Sequence, residues 1–142
     1  MYLKILVALE NSRADESLVP HVMELAKHFH SELLLVHVAD GWVARNFDRL
    51  KLRESEEMRH DREYLEQTAA RLQSAGLRVA VHLALGDPPG EILKTAEREH
   101  CDLIAMTTHG HRLLADVLFG STISKVRHRT TIPILLVRAR AR

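Results

Sequence analysis

The feature that most restricts the fold of this chain is a repeated alternation of short apolar runs with longer amphipathic segments. The apolar runs are typical of buried strands, and the amphipathic segments carry apolar residues at the helical spacings of three and four. We predict strands at residues 4–9, 33–38, 78–85, 103–107 and 134–138, and helices at 15–30, 53–75, 121–129 and from the turn at 86–89 to about 100. This alternation, with right-handed crossovers, predicts one three-layer α/β/α domain with a five-stranded parallel sheet.

Size, composition and charge exclude several classes of protein. The 142 residues are 46% hydrophobic, which suits one domain that buries about 68% of its unfolded surface. Twenty basic and 19 acidic residues leave a net charge of +1, so no general field attracts nucleic acid or an anionic membrane. We find neither a signal peptide pattern nor an apolar stretch near the about 20 residues of a membrane span. We therefore expect a cytoplasmic protein whose single cysteine, Cys101, has a packing role.

Residues 106–122 contain two glycines at a spacing suited to holding a phosphate chain. Gly110 follows the predicted fourth strand and allows the backbone to approach a ligand closely. Gly120, Ser121 and Thr122 begin the predicted fourth helix, where backbone N–H groups and hydroxyls favour an anion. The same pattern fits a turn glycine and an ordinary helix cap, in which Ser121 contributes only about 1 kcal/mol. Spacing alone leaves both interpretations open.

This segment also resembles the signature of a known family. Gly110, nine further residues and then Gly120-Ser121 are similar to the latter part of the Gly-X2-Gly-X9-Gly-Ser/Thr nucleotide signature of the universal stress protein family. The resemblance extends over nearly the whole chain, through residues 5–9, 34–38, 86–88, 101–104 and 132–137. Two places depart from the family pattern. Thr107 replaces the usual first glycine, and Glu10-Asn11-Ser12 replaces the usual Asp-Gly-Ser after the first strand.

The resemblance implies an adenine nucleotide alpha hydrolase-like fold with the strand order 3-2-1-4-5. In this order the first and fourth strands are neighbours, and their connections leave toward opposite faces of the sheet. A crevice is expected at the carboxyl ends of these two strands. Glu10 and Thr107 follow or end those strands, so both departures are expected at the same crevice as the glycine-rich segment.

The family pattern also implies roles for the residues of a nucleotide site. The candidates are Ala8, Glu10, Val38, Met106, Thr107, His109, Gly110, Arg112, Gly120, Ser121 and Thr122. The two glycines, Ser121 and Thr122 would hold phosphates, and His109 or Arg112 would add positive charge. The apolar candidates would receive the adenine, with Thr107 near the ribose or the first phosphate. Glu10 would either reach a ribose hydroxyl or a divalent metal, or fill the pocket and exclude the base.

The resemblance implies a stress-response protein that binds an adenine nucleotide, ATP first, as a regulatory or sensing ligand, alone or with Mg²⁺ or Mn²⁺. It implies no catalytic residue and at most slow ATP hydrolysis. His109-Gly110-His111 lacks one residue of the H-x-G-H signature of nucleotidyl transferases and follows the fourth strand rather than the first, which argues against transfer chemistry. The histidine pairs lack a convincing metal-site spacing, so a metal would need the nucleotide, with Glu10 as its candidate protein ligand. The alternative is a nucleotide-free dimeric scaffold of the same fold that acts through protein contacts with a partner that the sequence does not identify.

Two segments predict further contacts. Residues 134–137 form an apolar run that the implied strand order places at a sheet edge, which predicts a homodimer through this strand. The pattern fails between residues 39 and 52, where Trp42 and Phe47 stand among charged and turn-forming residues. We interpret this segment as a flap that closes over a nucleotide or packs on its own domain or a partner subunit.

Overall fold

Strands and helices alternate along the chain in the computed structural model, which describes residues 1–39, 51–108 and 122–140, without the side chains of residues 51–55. The elements are β1 (Lys4–Ala8), α1 (Asp15–Phe29), β2 (Glu32–Ala39), α2 (Lys51–Ser74), β3 (Arg78–Leu85), α3 (Pro88–Arg98), β4 (Leu103–Thr108), α4 (residues 122–129) and β5 (Ile134–Arg138). The strands form one parallel sheet in the order β3-β2-β1-β4-β5. The predicted fold class and strand order are confirmed. The flap predicted around Trp42 and Phe47 lies outside the described residues.

The ends of the elements differ from the predicted ones by one or two residues, and the reasons are local. The first helix was predicted to include His30, which instead adopts a left-handed conformation with φ of 56° and caps α1 through its N–H to the Ala26 carbonyl. Strand β2 is longer than predicted because it pairs with β3 from Glu32 through Ala39. Pairing with a neighbouring strand extends a strand beyond its own apolar run.

The centre of the sheet is buried on both faces, as expected for a parallel strand between two helical layers. In β1, Ile5, Leu6 and Val7 are each 0% exposed. Ile5 and Val7 belong to the core cluster that also contains residues of α1 and α2, whereas Leu6 belongs to the cluster that contains residues of α3 and α4. This alternation follows from the period of two in a strand and produces the three layers.

The turn after β3 starts α3 at the carboxyl edge of the sheet. Gly86 has φ of 139°, a conformation that side chains rarely adopt, and it lets the chain reverse there. Asp87 then caps α3, because its carboxylate accepts a hydrogen bond from the Gly90 N–H at 3.4 Å. Pro88, the first helical residue, has no N–H to satisfy. The first turn of α3 is thereby held beside the ends of the central strands.

The two edge strands differ in chemistry. Strand β3 begins with Arg78, which pairs with Glu32 of β2 at 2.9 Å, and its large exposed apolar residue is Leu85 at its end. Strand β5 exposes 41% of Leu136 in the middle of an apolar run. None of the helices in the described ranges is long and apolar enough to cross a membrane.

Candidate functional site

A cleft of about 580 Å³ opens at the carboxyl ends of β1, β2 and β4 and is closed on its sides by the first turns of α3 and α4. Strands β1 and β4 are neighbours, yet the helix after β1 packs on one face of the sheet and the helix after β4 packs on the other. The cleft therefore lies at the switch point of the strand order, where doubly wound proteins bind their ligands.

The lining of the cleft divides into an apolar and a polar part. The apolar part comprises Ala8, Leu9, Val36, Val38, Pro88, Pro89, Ile92 and Met106. The polar part comprises Glu10, His37, Asp87, Thr107, Thr122 and Lys125. A cleft with an apolar wall and a few polar groups suits a ligand that has one flat apolar portion and one polar portion.

Six of the predicted site residues lie together in this cleft. They are Ala8, Glu10, Val38, Met106, Thr107 and Thr122. The other five candidates, His109, Gly110, Arg112, Gly120 and Ser121, lie outside the described residues. The placement therefore brings together residues as far apart in the chain as Ala8 and Thr122.

The two departures from the family pattern are in direct contact. The Thr107 hydroxyl donates a hydrogen bond to Glu10 Oε2 at 2.8 Å, although the two residues are 97 positions apart. The other carboxylate oxygen of Glu10 accepts a hydrogen bond from the Ser12 hydroxyl at 3.0 Å. Thr107 is 2% exposed, so its side chain is fixed in the wall of the cleft. Glu10 is thus oriented by hydroxyls from both sides.

A buried carboxylate shapes the loop that carries Glu10. Asp15, 2% exposed, accepts hydrogen bonds from the backbone N–H groups of Glu10 and Asn11, each at 2.9 Å. Asn11 has φ of 59°, which asparagine tolerates better than most residues, and this is the position where the family pattern has glycine. Asparagine at this position therefore accommodates the left-handed backbone that glycine would also allow.

The α2 helix holds this loop from the other side. The Tyr64 hydroxyl donates a hydrogen bond to Asp15 at 2.5 Å. Burial is the larger cause, and this hydrogen bond the next, of a pKa of Tyr64 above its usual value. Asp61 accepts a hydrogen bond from the Asn11 side chain at 2.9 Å and lies 3.4 Å from His37 Nε2. Nδ1 of His37 donates to the Leu9 carbonyl at 2.9 Å. We call Asp15, Asp61 and Tyr64 the loop clasp.

Several cleft residues were not predicted, although two of them had a recognisable signal in the sequence. Lys125 lies one helical turn after Thr122 on the same face, a spacing that would have placed it in the cleft. Asp87 lies two residues after β3, and the carboxyl ends of parallel strands share one edge of the sheet. His37 and the loop clasp had no local signal, because their partners come from separate elements.

The capacity of the cleft for a metal ion depends on the side chains that line it. Within the described residues, no three histidine, cysteine, aspartate or glutamate side chains come together as a metal site. Glu10 is a carboxylate suited to a hard divalent cation, and the remaining ligands would have to come from a bound molecule such as a nucleotide phosphate.

The fold and the cleft together define a doubly wound α/β protein with a cleft at its switch point. A sequence profile described as Universal stress protein family matches residues 1–138. This chain belongs to that family.

Individual relatives agree with the assignment. Universal stress protein MJ0577 of Methanocaldococcus jannaschii is 28% identical over 97% of this chain and 96% of its own length. Its solved structure matches with a TM-score of 0.87 over 100% of this chain and 99% of that one. A universal stress protein from Archaeoglobus fulgidus, solved in complex with dAMP, has 21% identity and a TM-score of 0.71, covering 96% of this chain and 98% of that one. Another, solved in complex with cAMP, has 18% identity and a TM-score of 0.71, covering 98% of both chains. The likeness to the last two concerns the fold.

Proposed function

We propose that this protein binds an adenine nucleotide in the cleft, with ATP as the first candidate, and acts in the cytoplasm as a regulatory or sensing component of a stress response. The observation that carries the proposal is the cleft itself, which lies at the switch point of the sheet and joins an apolar wall to a polar one. Two proteins of the same fold were solved with dAMP and with cAMP, which supports an adenine ligand. The cytoplasmic location and the preference for ATP extend the expectations from the sequence.

The lining suggests how a nucleotide would lie. The adenine would rest against the apolar wall, near Val38 and Met106, where Ala8 leaves room because its side chain is small. The phosphates would extend toward Thr122 and Lys125, at the start of α4, where the helix dipole and the ammonium group favour negative charge. Mg²⁺ or Mn²⁺ would accompany the phosphates, and the Glu10 carboxylate would serve either that cation or a ribose hydroxyl. Slow hydrolysis is the most that we propose.

A second candidate function is a nucleotide-free scaffold that acts as a homodimer. Two observations favour it: the mutual hydrogen bond of Glu10 and Thr107 within the cleft, and the exposed apolar edge of β5 around Leu136. In this alternative the Glu10 side chain fills the space that the ribose would occupy, and the function resides in protein contacts.

Calorimetric titration separates the two candidates. The purified protein is titrated with ATP, AMP and GTP, and mass spectrometry identifies any ligand retained through purification. We expect both adenine nucleotides to bind and GTP to bind at least about tenfold more weakly, a difference of about 1.4 kcal/mol. A folded protein that binds none of the three would favour the scaffold.

The phosphate role of the glycine-rich segment is tested by a matched pair of variants. Ser121→Ala removes one hydroxyl that the sequence assigns to the phosphates, and we expect ATP binding to weaken by about 0.5–1.5 kcal/mol, the contribution of one hydrogen bond. Ser124→Ala makes the same change three residues later and should leave the affinity unchanged. Equal affinities in both variants would remove Ser121 from the site.

A further inference from the structure

The contact between Glu10 and Thr107 determines which hydrogen-bonding groups this part of the cleft can offer. An ionised carboxylate has no proton to donate, so the hydroxyls of Thr107 and Ser12 must both donate to it. The Thr107 proton is therefore directed at Glu10 and away from a ligand. Toward the cleft, Thr107 and Glu10 present oxygen lone pairs and negative charge.

The acceptor groups of Glu10 and Thr107 favour the part of a nucleotide that can donate to them. Phosphate oxygens are also acceptors and carry negative charge, so they would be repelled by Glu10. Ribose hydroxyls are donors, and a hydrogen bond to a charged acceptor is stronger than one between neutral groups. Of the two positions that the sequence left open for Thr107, near the ribose or near the first phosphate, the geometry favours the ribose.

The two departures also compensate each other. Glutamate has one more rotatable bond than the aspartate usual at position 10, and fixing that bond for a ligand costs conformational entropy. The hydroxyl of the buried Thr107 donates a hydrogen bond of 2.8 Å to the longer side chain, which a glycine at position 107 could not do. The carboxylate is thereby oriented before a ligand arrives, and preorganisation of this kind raises affinity.

We propose that Thr107 is a positioning residue that holds Glu10 as an acceptor for the ribose hydroxyls, and that the pair makes the cleft select ribonucleotides over deoxyribonucleotides. This inference rests on the proposed binding of adenine nucleotides and goes beyond it by naming the sugar as the group that is discriminated. Thr107 acts through Glu10, and its own hydroxyl makes no donor contact to the ligand.

The test compares AMP, 2′-deoxy-AMP and 3′-deoxy-AMP by calorimetry in the wild-type protein, with EDTA present and then with Mg²⁺. We expect the wild type to bind AMP at least about tenfold more tightly than one of the deoxy forms in both buffers, as the loss of a hydrogen bond to a charged group predicts. Thr107→Val keeps the shape of the side chain but removes the hydroxyl. It should bring the ratio of the dissociation constants of the deoxy form and of AMP close to one. Thr107→Ser restores the hydroxyl and should restore the ratio.

A neighbouring residue provides the control. Thr108→Val changes a half-buried threonine that does not line the cleft, and the ratio should stay at the wild-type value. Equal binding of all three nucleotides by the wild type would overturn the inference while leaving the proposed function intact. An unchanged ratio of dissociation constants in Thr107→Val would also overturn it. A preference for AMP that is present only with Mg²⁺ would overturn it too, because Glu10 would then be assigned to the cation. Failure of these three nucleotides to bind would overturn the inference, and failure of ATP as well would reject the proposed function.

Discussion

Cys101 shows how the position of one side chain controls its chemistry. The residue is 5% exposed and belongs to the core cluster on the α3 and α4 side of the sheet. Burial raises the pKa of its thiol to about 11, while nearby Lys4 acts in the opposite direction. The reactive form of a cysteine is the thiolate. This thiol is therefore a packing group, in agreement with the interpretation from the sequence.

We predict that Cys101 resists alkylation in the folded protein. At pH 8 a thiol with a pKa of about 11 is ionised in only about one molecule in a thousand, and burial further restricts access. Iodoacetamide labelling followed by mass spectrometry should show little modification under native conditions and complete modification in about 8 M urea. Rapid labelling of the folded protein would contradict this view of the residue.

At the scale of elements, the loop clasp connects α2 to the loop that follows β1. Asp15 accepts hydrogen bonds from two backbone N–H groups and from the Tyr64 hydroxyl, and Asp61 holds the Asn11 side chain. The loop carries Glu10, so the position of α2 and the position of the proposed ribose acceptor depend on each other. Hydrogen bonds to charged groups inside a protein are the ones that contribute most to stability.

We predict that Tyr64→Phe destabilises the protein by about 1 kcal/mol, because Asp15 loses one of its donors while the ring remains. Urea denaturation followed by circular dichroism measures the change. Tyr2→Phe is the matched control, since it keeps the edge-to-face ring contact with Phe29. A Tyr64→Phe variant as stable as the wild type, or an equal loss in Tyr2→Phe, would argue against the clasp.

At the scale of the whole molecule, β5 is an edge strand of the sheet in the described part of the chain and is suited to assembly. The strand pairs with β4 on one side, and its apolar residues 134–137 include Leu136, which is 41% exposed. An unprotected apolar edge tends to pair with another chain. A two-fold axis would present the same strand of each copy to the other, and a stable contact buries about 1,200–2,000 Å² in total.

We predict a homodimer that Leu136→Glu disrupts, because a dimer would bury the new charge between two apolar strands. Light scattering at concentrations of tens of micromolar should give the dimer mass for the wild type and the monomer mass for this variant. Leu85→Glu places the same change on β3, the opposite edge strand, where Leu85 is 38% exposed, and should remain dimeric. A monomeric wild type would reject the dimer, and a dimeric Leu136→Glu variant would move the interface away from β5.

Features that depend on residues close together in the chain could be predicted from the sequence, whereas contacts between residues far apart in the chain could not. Strands and helices were predicted within one or two residues over most of the chain, because periodicity and caps are local properties. The order of the strands needed the family resemblance, since no local signal says which strand pairs with which.

The sequence by itself determined the layers of this protein and marked Glu10 and Thr107 as unusual. It did so because apolar periodicity, glycine positions and family signatures can be read along the chain. Only the tertiary structure decided that Glu10 and Thr107 bond to each other, and that α2 holds the loop between β1 and α1. Such contacts join residues up to 97 positions apart, and they exist because parallel strands with helical crossovers bring all their carboxyl ends to one edge of the sheet.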